Sequence, residues 1–272
     1  MSGDGTPVML IAGLFRGDRS LEFLAAFLRS AGFDACTGGI DRNLDCSEAM
    51  VERLSRRLET IVERRQQPVA LVGHSRGGLF ARVLARRRPE LVSGVVTLGS
   101  PHQDPLAVHP ILWAALLTVA SLGRFGARGV FDYSCAVGGC CERFRRDLVA
   151  PLPPGVGHLS VYSRQDGLVD WRSCVNPHGD QLEVTTSHRG MPEDATVLRA
   201  IASAVVRFAG KDAPSERDEA PAATGRAAPV VRPVTTGSSL RRSGRGPAER
   251  GPRLPHGSAG HGEVRGRGSG GR

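Results

Sequence analysis

A chain of 272 residues with 40% hydrophobic and only 5% aromatic residues has room for one globular domain of about 200 to 250 residues around a large core. Its formal charge of +9 points toward an acidic partner, but residues 211–272 hold 12 basic and 6 acidic residues, which leaves only +3 on residues 1–210. Lys211 is the only lysine, so the arginine excess reads as codon bias, and a specific nucleic-acid binder is not expected.

Residues 1–7 contain no basic residue, and the apolar run 8–14 is short for a signal-peptide core, with no A-x-A site after it. The longest apolar stretch, 110–122, is too short to span a bilayer, which needs about 20 residues. A cytoplasmic protein is the expectation, with its six cysteines reduced.

Along the chain, residues 7–12 (PVMLIA) form a fully apolar run, the pattern of a central parallel strand covered on both faces. Leu21, Leu24, Phe27 and Leu28 have helical spacing, and Gly32 follows them. Residues 47–67 read as a longer helix with Met50, Leu54, Leu58 and Ile61 on one face. Residues 69–72 are a second buried strand, 76–88 a helix, and 92–98 a third strand. This alternation predicts an α/β fold with a doubly wound, mostly parallel sheet.

Residues 103–157 interrupt the pattern with an apolar helix candidate (111–122) and a Gly- and Cys-rich stretch (123–141). Strands resume at 158–163 and 181–186, and a helix closes the domain at 191–208. The organisation expected is therefore one α/β domain over 1–210, with 103–157 as a lid-like insertion. A tail over 211–272, rich in Gly, Pro, Ala and Arg and free of aromatic residues, is expected to be disordered, with at most weak contacts to anionic surfaces.

Residues 73–77 (GHSRG) match G-x-S-x-G. The pattern alone is weak, and its context strengthens it: a strand precedes it and a helix follows, the setting of a strained turn that lifts a serine hydroxyl above a sheet. Ser75 is thus the candidate nucleophile. An inert or phosphate-binding turn is the competing reading, and the absence of lysine in this region removes a Walker-type phosphate loop.

A serine near neutral pH needs a base and the base needs a carboxylate, both from loops that follow later strands in the order Ser, Asp, His. His188 follows the last strand directly. His178 precedes that strand, His74 lies inside the elbow and is expected to point away, and His102 and His158 belong to other loops. Asp166 falls in the first turn after strand 158–163 and is preferred to Asp170, which suits a turn or cap before Trp171. Backbone N–H groups of Leu14, in the loop after the first strand, and Arg76 are the candidate oxyanion donors.

Ile111, Leu112, Ala115, Leu116, Val119 and Leu122 suit either a helix over an apolar acyl pocket or an ordinary packed helix. Cys135, Cys140, Cys141 and Cys174 have spacing C-x₄-C-C, which lacks paired C-x₂₋₄-C ends; buried free thiols are expected in preference to a zinc site.

Segments 11–14 (IAGL), 73–78 (GHSRGG), 96–102 (VTLGSPH), 163–169 (SRQDGLV) and 187–188 (SH) together resemble the α/β-hydrolase superfamily, specifically its bacterial lipase- and esterase-like branch. The resemblance spans residues 7 to about 209. It implies hydrolysis of a small-molecule ester or acyl lipid through an acyl-enzyme, with no metal or organic cofactor. Its acid-loop pattern S-x-x-D-x-x-V favours Asp166. Many relatives have His-Gly where this chain has Ala12-Gly13, so any side-chain help in the oxyanion loop is lost while the backbone donor remains. The superfamily also holds acyltransferases, thioesterases and silent scaffolds that bind a lipid or protein partner, and these readings stay open, as does the oligomeric state.

Overall fold

The computed structural model describes residues 3–127, 129–177 and 179–210, so the tail and His178 lie outside the described residues. Two units are distinguished, Met1–Ala220 and Pro221–Arg272, and every described residue falls in the first.

The chain runs β1 (Pro7–Ile11), α1 (Glu22–Ser30), β2 (Asp34–Thr37), α2 (Ser47–Arg65), β3 (Val69–His74), α3 (Arg76–Arg87) and β4 (Val92–Leu98). It continues through α4 (Pro110–Arg124), α5 (Tyr133–Ala136), α6 (Glu142–Val149), β5 (Gly157–Ser163), β6 (Asp180–Val184) and α7 (Ala195–Gly210). The six strands form one sheet in the order β2-β1-β3-β4-β5-β6, every neighbouring pair parallel.

β1 is buried along its whole length because alternate side chains enter different cores. Val8 and Leu10 face a cluster shared with α1 and α7, whereas Met9 and Ile11 face α2 and α3. Pairing of Leu10 with Val72 and Ile11 with Gly73 makes β1 and β3 end side by side. The chain leaves β1 toward β2 on one side and returns to β3 on the other, so a crevice opens between the loops after β1 and β3, where doubly wound sheets bind ligands.

β2 has no counterpart among the sequence-derived strands. Its DACT sequence lacks an apolar run because it is a short edge strand with partly exposed residues. The closing helix is split: a 3-10 turn at Met191–Glu193 precedes α7, and Asp194 Oδ1 accepts from the Thr196 and Val197 N–H groups at 2.8 and 3.0 Å.

The segment 103–157 holds helices of two kinds. Phe144 and Leu148 of α6, four residues apart, are buried in the same cluster as α2 and α3. The Phe144 ring meets Phe80 edge-on at 5.6 Å, a geometry worth about 0.5–1.5 kcal/mol beyond burial. Arg87 ties three helices together through Glu48 (2.7 and 2.9 Å) and Asp147 (2.7 Å). α6 is therefore a core helix, hidden from a sequence reading because five of its eight residues are charged. α4 differs: Ile111, Leu117 and Leu122 are exposed along it. Among the described residues no helix is long and apolar enough to cross a membrane.

Candidate active site

Ser75 stands between β3 and α3 with φ 53° and ψ −123°, a backbone state that L-residues rarely adopt. The turn is that tight because three chain segments converge on it. A Cβ on Gly77 would run into the carbonyl of Ile11, and one on Gly73 into the backbone of Gly77 and Gly78. The Ser75 N–H donates to the Leu98 carbonyl at 2.8 Å, which anchors the elbow to the end of β4.

The next residue, Gly99, brings in the other partners. A Cβ there would lie 3.0 Å from His188 Nδ1 and 3.1 Å from Asp166 Oδ2. These two side chains, 6% and 3% exposed, are joined by a hydrogen bond of 2.6 Å from the His188 ring to the carboxylate. The other oxygen, Asp166 Oδ1, accepts from the Leu168 and Val169 N–H groups at 2.9 and 2.6 Å. Both carboxylate oxygens thus accept hydrogen bonds, which fixes the orientation of the group. Because Nδ1 faces the carboxylate, the proton sits there and Nε2 is left as an acceptor. Asp170 lies elsewhere: it caps the turn Trp171–Cys174, accepting from the Arg172 N–H at 3.0 Å, with its side chain 44% exposed.

His74 does not turn away from this group. Its ring lies 4.8 Å from that of His188, and its Nε2 bonds the His188 carbonyl at 2.9 Å. A carbonyl only accepts, so Nε2 carries the proton. Burial, then the neighbouring His188, draws the His74 pKa down to about 3, which keeps the ring neutral. Its only sequence signal is its position within the pentapeptide.

The loop after β1 abuts the elbow, since a Cβ on Gly13 would sit 3.1 Å from Ser75 Cβ. Leu14, Ser75 and Arg76 line one cavity of about 230 Å³, whose other walls include Leu79, Leu112, Leu116, Phe131 and Val169. Arg76 opens α3, so its N–H belongs to the helix's first turn, which has no intrahelical acceptor. The Arg76 side chain is held by the Asn43 carbonyl and side chain, the Asp45 carbonyl and Ser47 Oγ. Asn43, which no motif marks, also donates to the Ala12 carbonyl at 2.6 Å and so locks the β1 loop to the start of α3.

His102 and His158 stand apart from this group in a buried network. His158 Nδ1 accepts from Arg82 (3.2 Å) and Asn176 (2.5 Å), and its Nε2 meets Thr97 Oγ1 at 3.2 Å. The His102 ring packs against that of His158 at 5.6 Å.

A family model described as the alpha/beta hydrolase fold matches residues 45–121. A triacylglycerol lipase of Pseudarthrobacter phenanthrenivorans is 37% identical over 67 residues, 21% of this chain and 21% of that protein. One of Burkholderia plantarii is also 37% identical over 67 residues, 21% and 19% of the two chains. The chain thus spans about a fifth of the length of the curated relatives it matches. Among solved structures, the mature form of a Bacillus licheniformis lipase superposes with TM-score 0.57 at 18% identity, covering 74% of this chain and 92% of that one. A monoacylglycerol lipase of Paleococcus ferrophilus gives 0.52 at 19% identity, covering 75% and 96%. At such identities the likeness is one of fold.

Proposed function

We propose that the chain is a serine hydrolase of carboxylic esters that acts through an acyl-enzyme on Ser75, a reading supported by its match to the alpha/beta hydrolase family model over residues 45–121 and by its fold. The observation that carries this reading is the buried Asp166–His188 pair, packed against the residue that follows the Ser75 anchor. In this reading His188 Nε2 takes the proton of Ser75 as Oγ attacks the carbonyl carbon, while Asp166 holds the ring and stabilises the imidazolium that forms. The Leu14 and Arg76 N–H groups receive the oxyanion. His188 then returns the proton to the departing alcohol, and water, activated by the same ring, releases the acid and regenerates Ser75.

The cavity supports an apolar acyl group. Its volume is about 230 Å³, and Leu79, Leu112, Leu116, Phe131 and Val169 are among its walls. A short to medium acyl chain fits that space. Within the catalytic domain over 1–210, α4 is the segment that would act as the lid, because Leu112 and Leu116 line the cavity while Ile111 and Leu117 are exposed.

Labelling with a fluorophosphonate tests the reading directly. The expected result is stoichiometric modification of the wild-type chain and none of Ser75→Ala. Equal labelling of the two, or hydrolysis of p-nitrophenyl butyrate by Ser75→Ala at the wild-type rate, removes it.

A further inference from the structure

Beside the Ser75 cavity lies a second constellation that ester hydrolysis does not use. Cys46 precedes α2, Cys135 lies in α5, and Cys140 and Cys141 sit in the 3-10 turn Gly139–Cys141. Their four sulfur atoms all lie within 4.8 Å of one another. The separations given by individual contacts are 3.4 Å for Cys46–Cys140 and for Cys46–Cys141, 3.7 Å for Cys135–Cys140 and 3.9 Å for Cys140–Cys141. Zinc–sulfur bonds of about 2.3 Å in a tetrahedron put the sulfurs about 3.8 Å apart, so these distances suit one shared ion. None of the four is in a disulfide. Cys174 is not part of the group: it is buried near the Asp170 carbonyl.

One feature besides the sulfur geometry favours thiolates around a cation. The Arg76 guanidinium belongs to the same cavity wall as Cys135, and the acceptors of its hydrogen bonds are all neutral. A tetrathiolate around a divalent ion carries a net charge of about −2, and Arg76 stands where its counter-charge is needed.

We propose that Cys46, Cys135, Cys140 and Cys141 form a structural binding site for a single soft divalent cation, zinc by chemistry. Four thiolates select zinc over hard cations, and a closed four-sulfur set leaves no position for substrate. Binding displaces four thiol protons to solvent and changes no oxidation state. The exposed Cys140 is the entry side. The ion clamps the connection between α4 and α6 onto the start of α2. Ser47, Arg76 and Cys135 belong to the wall of the Ser75 cavity, so the clamp holds that wall in place. Arg145 supports the same loop by donating to the Cys135 and Gly138 carbonyls at 3.2 and 2.5 Å.

The test uses the full chain purified under reducing conditions with zinc present, followed by replacement with cobalt(II). Expected are about one zinc per chain, and for the cobalt form thiolate-to-metal charge-transfer bands with the intense d–d absorption of a tetrahedral site. Cys140→Ser should weaken zinc binding at least about 10-fold, whereas Cys36→Ser, in β2, should retain it. Absence of stoichiometric metal in the wild-type chain, absence of the cobalt bands, or unchanged affinity in Cys140→Ser each overturns the proposal. So does intact-mass evidence that the zinc-supplied protein carries Cys46–Cys140 or Cys46–Cys141 disulfides. The wild-type cobalt spectrum decides the matter even where a variant fails to fold.

Discussion

Ser75 holds a left-handed backbone at φ 53° that a glycine adopts without strain. Such a state costs on the order of 1–3 kcal/mol in a non-glycine residue. Ser75→Gly should therefore abolish ester hydrolysis and raise the unfolding free energy by about 1 kcal/mol, whereas Ser75→Ala should abolish activity with no such gain. Urea unfolding of the two variants checks this, and equal midpoints sink it. His74 works one step further out. Its Nε2–H holds the His188 carbonyl, so His74→Phe keeps the ring's bulk but leaves that carbonyl without its donor. The expected loss is roughly 10- to 100-fold in kcat with KM little changed, and His74→Gln, which restores an N–H, should recover most of it. A shift in KM alone would assign His74 to substrate binding instead.

At the scale of elements, α4 is separable from the fold in a way that α6 is not. Leu112 and Leu116 line the cavity, one turn apart, while Phe144 and Leu148 of α6 are buried in the main core. Replacing residues 110–124 with a short Gly/Ser linker should leave a folded protein and shift preference among p-nitrophenyl esters toward longer chains. Removing α6 as well should cost about 3–5 kcal/mol from Phe144 alone. Unchanged chain-length selectivity in the linker variant, on butyrate through laurate, would show that α4 is only packed cover. These two helices also mark how far the sequence is legible. β1, β3 and β4 are buried along their length and mostly apolar because helices cover both faces, and that pattern survives reading in one dimension. The elbow is visible because glycines must stand where backbones collide. β2 and α6 are hidden because β2 is a short, half-buried edge strand and half of α6 faces water, so their composition resembles a loop. The Cys46 partnership is hidden for a different reason: 89 residues separate it from Cys135, and no local spacing encodes a long-range contact.

Over the whole molecule, the buried histidines set how the fold responds to acid. Burial is the first cause in each case, with Arg82 adding repulsion at His102 and His158, and His188 at His74. Their pKa values are drawn down to about 4 for His102, about 3 for His74 and about 2 for His158. An unfolded histidine titrates near 6.5, so below that pH the unfolded chain takes up protons that the native state refuses. The sign follows: stability is fully present above about pH 6.5 and is lost as pH falls toward 4. Each ring contributes at most about 1.4 kcal/mol per pH unit, so the three together approach 4 kcal/mol per unit. Against a total stability of about 5–15 kcal/mol, that slope unfolds the protein within a few pH units of neutrality. Glu48, whose pKa is lowered chiefly by its hydrogen bonds to Arg87, adds loss in the same direction, but only below about 4.5. Between pH 6.5 and 5 the histidines therefore dominate. Guanidinium midpoints measured at half-unit steps should be flat from pH 8 to 7 and fall steeply below 6.5. His158→Gln keeps an acceptor toward Arg82 and Asn176 and a donor toward Thr97, yet cannot take up a proton. It should flatten the acid slope by about a third. A wild-type slope no steeper than one proton would mean that the histidine clusters admit water and titrate without unfolding the chain.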